Sequence, residues 1–105
     1  MSAPSTGRIV LYTLAEADAD AINRRRDDHR NGPRVSGTQE IVVQGDGAQV
    51  HVGNPARADQ VLPLLVVRVN PGGHVNGQVF LDGNDTLWFT SAAEGYGRGQ
   101  WSWPP

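Results

Sequence analysis

The sequence contains no cysteine. That excludes disulfide stapling, thiol nucleophiles and Cys-ligated zinc or iron–sulfur sites. Lysine is missing too: the nine basic residues are all arginine, against eleven acidic ones, for a formal charge of −2. Arg suits ion pairs and interfaces better than Lys, and a Lys-free, Arg-, Ala- and Gly-rich chain is also what GC-rich coding produces. The slight acidity argues against wholesale nucleic-acid binding, which calls for a basic face. No apolar run approaches the roughly 20 residues of a membrane span, and no signal-peptide pattern opens the chain. Neither membrane insertion nor secretion by a signal peptide is therefore expected.

What is present fits one folded domain. The 105 residues suffice for a single hydrophobic core. Thirteen Gly and seven Pro, with three Trp, describe a folded, turn-rich chain rather than a disordered one. No internal repeat is found. Residues 1–7 are small and polar and read as a flexible arm, leaving 8–105 as the domain.

A short strand is expected over Arg8 to Tyr12, followed by a capping box, Thr13-x-x-Glu16, and a helix from Leu14 to about Arg30. Asn31-Gly32-Pro33 supplies the stop. Leu14, Ala17, Ala21 and Ile22 form its narrow apolar stripe. Acidic residues lie early in this helix, and Arg24, Arg25, Arg26 and Arg30 lie late, the order that complements the helix dipole.

Beyond Pro33 the helical period disappears. Strands are expected at 40–44 and 48–52 around Gly45-Asp46-Gly47. Further strands follow at 60–69, interrupted by Pro63, and at 74–81, 86–90 and 100–104. Turns at Asn70-Pro71-Gly72-Gly73 and Asp82-Gly83-Asn84-Asp85 separate them. The fold class is α+β: one N-terminal amphipathic helix with an antiparallel β-meander, which can curl into a small SH3-like barrel.

Chemical motifs are few. Asp82, Asn84 and Asp85 carry oxygens, but fewer than the six to eight that Ca²⁺ takes, and they are the residues a tight turn demands. His29, His51 and His74 lack metal-ligand spacing. Gly95-Tyr96-Gly97-Arg98-Gly99 lacks the Lys-Ser/Thr and the strand-to-helix context of a phosphate loop. No G-x-S-x-G elbow occurs. No catalytic residue, metal ligand or cofactor is assigned.

The aromatic residues concentrate instead. Trp88, Phe89, Tyr96, Trp101 and Trp103 fall within residues 88–103. They suit a core, a protein interface with Arg98, or stacking on single-stranded bases. Arg24, Arg25 and Arg26 form the alternative candidate, a basic patch for nucleic acid or a host protein.

Four segments carry a resemblance. Asn23-Arg24-Arg25-Arg26, Leu81-Asp82-Gly83-Asn84-Asp85-Thr86-Leu87-Trp88, Glu94-Gly95-x-Gly97-x-Gly99 and Trp101-Ser102-Trp103-Pro104 resemble a family of small proteins of actinobacteria and their phages. The resemblance spans about residues 8–104 and is weakest around 31–50. It implies a phage or prophage product and carries over no catalytic residue. The expectation is a non-enzymatic structural accessory of the virion, first of all a capsid-decorating (cement) protein. Its partner would be a capsid or other virion subunit, with a homo-oligomer also compatible, and nucleic acid is not expected. Contact residues would be Trp101, Trp103, Tyr96, Arg98 and Arg8, with the arm before it. Localisation would be the virion, or the host cytoplasm if the protein is a regulator.

Overall fold

The computed structural model describes residues 3–31 and 52–105, with the side chains of residues 29–31 left aside. The expected strand at 40–44 and all of the one at 48–52 except Val52, with their turn, lie outside the described residues, as does His51. Along the chain come β1 (Ile9–Thr13), α1 (Glu16–Asn31), β2 (Val61–Val69), β3 (Val75–Phe80), β4 (Thr86–Ala92) and β5 (Trp101–Ser102). All neighbouring strand pairs are antiparallel, in the order β4-β3-β2-β1-β5. The molecule is α+β as the pattern predicts, with β2, β3 and β4 as the meander. Among the described residues no helix is long and apolar enough to cross a membrane.

The sheet curls without closing fully. Past β4 the chain bends toward β5, where Trp101 N–H donates to Ala93 O at 2.9 Å and Gly95 N–H donates to Trp101 O at 2.8 Å. A short parallel bridge between Glu94 and Trp101 is thus the contact across the seam.

Alternation sorts the side chains into two faces. Inward point Val10, Tyr12, Leu64, Val66, Val75, Val79 and Trp101, all essentially without solvent contact, joined by Leu14 and Ile22. Each such apolar side chain contributes about 1.5–3 kcal/mol by leaving water. Gly77 lies in this layer because a Cβ there would stand 2.3 Å from Leu65 O. Pro63 sits inside β2, opposite Leu11. The ladder to β3 begins only at Leu64 opposite Val79, so β2 is locally an edge at Pro63, where proline is tolerated.

Two local expectations are corrected. Thr13 belongs to β1, so it does not cap the helix. Ala15 precedes α1 instead, and the Asp18 carboxylate accepts its N–H at 2.9 Å, supplying the acidic half of a capping box. The buried stripe of α1 is also rotated from the apolar one: Ala17 is exposed, while Ala19, Ile22 and Arg26 are buried. Arg26 occupies a core-facing position because its charge has a partner inside.

Candidate functional site

That partner is Asp85. Arg26 Nη2 lies 2.8 Å from Asp85 Oδ1, with side chains 6% and 0% exposed. Arg26 Nη1 also donates to Asn54 O. Arg25, half-buried, donates to Thr86 O at 3.0 Å and lies 3.7 Å from the same carboxylate. Asn23 completes the junction by a paired amide contact, Nδ2 to Ala56 O at 2.9 Å and Ala56 N–H to Oδ1 at 2.8 Å. The Asn23–Arg26 segment and the Asp82–Asp85 turn, far apart in sequence, are therefore two sides of one buried polar joint.

The turn's other oxygens are engaged as well. Asn84 Oδ1 accepts Val52 N–H at 3.0 Å, and Asp82 Oδ2 accepts from Asn54 Nδ2 at 3.1 Å. Gly53 and Gly83 face each other in an isolated bridge, with Arg26 against both. A Cβ on Gly83 would meet Val52 O at 2.5 Å and Arg26 Nη2 at 2.7 Å. Of the three-arginine cluster only Arg24 is exposed.

The predicted contact residues divide into two places. Trp101 is fully buried, its Nε1 donating to Gly73 O at 3.3 Å, and packs edge-on against half-buried Trp103, with ring centroids 5.4 Å apart. The Arg8 guanidinium lies over the Trp103 ring at 4.8 Å from its centroid, a cation–π arrangement. Residues before Arg8 are tied to β2: Gly7 N–H donates to Val66 O at 2.8 Å and Thr6 Oγ1 to Val67 O at 3.4 Å.

Tyr96 and Arg98 lie toward the opposite end of β1. Tyr96 is 84% exposed on a loop held at several points. Gly97 N–H donates to Gln100 Oε1 at 2.8 Å, and Gly99 N–H donates to Thr13 O at 2.7 Å. Arg98 forks onto Asp59 at 2.8 and 2.9 Å. This bond holds the Asp59 carboxyl below its ordinary pKa and raises that of the Arg98 guanidinium.

Sequence reasoning did not single out the outer face of the sheet. Register places Ile9, Leu65, Gln78 and Trp88 in one row across four strands. Leu11 and Pro63 form part of the next row, with Phe80 opposite Thr86. Val61 extends it at the end of β2. Ile9, Val61, Phe80 and Trp88 are 42–54% exposed. A solvated antiparallel face ordinarily alternates to polar side chains. These rows hold seven apolar residues with Gln78, Thr86, Thr13 and Ser102, and no charge. A signal was available: β2 reads as a near-continuous apolar run, the pattern of a strand covered on both faces.

No protein-family model, curated protein or solved structure matches the chain.

Proposed function

We propose that this protein is a non-enzymatic binding module that works by protein contact, a structural accessory of a phage virion and first of all a capsid-decorating protein. The observation that supports it is the pair of uncharged, mostly apolar rows at the centre of the sheet's outer face. A patch of this kind on a small domain marks a protein interaction site, and water is a poor long-term neighbour for Trp88 and Phe80. An accessory spread over a repetitive lattice meets both lattice subunits and copies of itself. The face, the pinned Tyr96 loop and the Arg8–Trp103 stack offer separate contacts for such neighbours. The motif resemblance to actinobacterial and phage proteins supports the virion setting.

The alternative, a nucleic-acid-binding regulator using Arg24, Arg25 and Arg26, has less support. Arg26 is buried against Asp85 and Arg25 is directed to Thr86, so the cluster offers one exposed cation, Arg24.

Quantitative mass spectrometry of purified virions tests the proposal. The chain should be present in a copy number commensurate with the capsid lattice, and its absence from virions removes the assignment.

A further inference from the structure

We infer that the outer face of the sheet is a self-association surface, on which a second copy of this chain packs face to face about a two-fold axis. This rests on the reading of the protein as a contact module and names the partner of that face.

Three observations select a second copy. First, the central rows hold no charge, so a charged partner gains nothing there. A second face of the same composition buries Ile9, Leu65, Phe80 and Trp88 without stranding an ionic group. Two antiparallel faces stack about 10 Å apart with strands nearly aligned, which suits an isologous contact.

Second, the amount of surface fits. Partly exposed side chains of these sizes offer on the order of 400–500 Å² of apolar area. An ordinary interface takes about 800 Å² from each partner, and in homodimers roughly 65% of it is apolar. The face supplies close to that share.

Third, the charges lie at opposite ends. Arg68 is exposed on β2 opposite Asn76, which shares the face of Gln78 and Phe80, and so marks one end. Asp82 is exposed in the turn two residues beyond Phe80, at the other end, where its Oδ2 also accepts from Asn54 Nδ2. A two-fold axis through the middle of the face brings Arg68 of each copy toward Asp82 of the other. The parallel arrangement would set like charges together.

Sedimentation equilibrium of the full chain is the direct test. A species of twice the 11.3 kDa chain mass is expected, dissociating on dilution. Phe80→Asp with Trp88→Asp should give a monomer with an unchanged far-ultraviolet circular dichroism spectrum. Arg68→Asp alone and Asp82→Arg alone should each weaken the dimer by about tenfold, and the two together should restore it. The restoring pair keeps the test valid even if one single variant is poorly folded.

Three results overturn the inference. They are a wild-type monomer at the highest soluble concentration, whether or not Trp88 is shielded from quencher; a dimer that survives the double aspartate change; and a charge exchange that fails to restore association. None of them removes the virion proposal, which falls only if the chain is absent from virions.

Discussion

Arg26 and Asp85 form an ion pair at 2.8 Å inside the protein, with both side chains almost wholly withdrawn from water. The pair joins the middle of α1 to the turn between β3 and β4, across 59 residues of sequence. Attraction between buried charges is strong, yet so is the cost of removing them from water, and the two nearly offset.

A double-mutant cycle separates those terms. Asp85→Ala leaves the Arg26 charge buried without its main partner and should cost about 3–5 kcal/mol. Arg26→Met should cost less, because Arg25 stays 3.7 Å from the same carboxylate. The double variant should be markedly more stable than the sum predicts. Urea unfolding followed by circular dichroism gives all four values, and simple additivity would contradict the coupling.

Asn23 gives a sharper test of the same joint. Asn23→Asp keeps the acceptor for Ala56 N–H, but it replaces the donor to Ala56 O with a second oxygen. The loss should be about 1–3 kcal/mol in urea unfolding, from an unsatisfied buried carbonyl facing an anion. Asn23→Ala should be the milder change, because it adds no opposing charge.

Much of the β meander was legible in the chain. Val75, Gly77, Val79 and Leu81 alternate with polar or exposed neighbours, and these four are the buried set. Turn residues at 70–73 and 82–85 bound the strands as turn chemistry requires. The helix face was misread because periodicity counts apolar residues, whereas Arg26 is buried through Asp85, a partner that no local pattern indicates. The cap was misread for the same reason: Thr13 has a capping residue's chemistry, but β2 and the backbone of Gly99 and Gln100 claim it for the sheet. The strand expected over 100–104 is only Trp101–Ser102, so Trp103 lies past its end, half-buried and edge-on against buried Trp101. The outer face needs the strand register, and one residue's slip would exchange it with the core.

Gly77 should tolerate no side chain. A Cβ would lie 2.3 Å from Leu65 O and 2.6 Å from Leu64 Cδ2, so β2 and β3 would have to separate. Gly77→Ala is expected to cost about 1–3 kcal/mol through overpacking. Hydrogen exchange should show the loss concentrated in β2 and β3, and an unchanged midpoint of unfolding would contradict the close approach.

Tryptophan fluorescence distinguishes the three indoles. Trp101 is buried, Trp103 half-buried and Trp88 47% exposed. Under conditions where the chain is monomeric, acrylamide should quench Trp88 most strongly. Trp88→Phe should remove most of the quenchable emission and leave a blue-shifted remainder. If Trp88→Phe leaves the quenching unchanged, Trp88 is covered.

Tyr12 gives the protein an alkaline limit. Its hydroxyl donates to Asp18 Oδ2 at 2.6 Å while the ring is buried against Phe89, with centroids 4.8 Å apart. Burial first, then the hydrogen bond to Asp18 and the negative charge of that carboxylate, push the phenol far above its usual pKa of 10.0. The folded state therefore keeps this proton after the unfolded chain has released it. Below pH 10 both states are protonated, and the stabilisation from this group is fully present. Above pH 10 the unfolded state alone ionises, and stability should fall by about 1.4 kcal/mol for each further pH unit. In Tyr12→Phe the hydroxyl is gone, so the variant should be less stable at neutral pH and should lose this part of the alkaline slope. Urea midpoints measured between pH 8 and about 12 for both proteins decide the matter, and parallel curves would show that Tyr12 ionises equally readily in the two states.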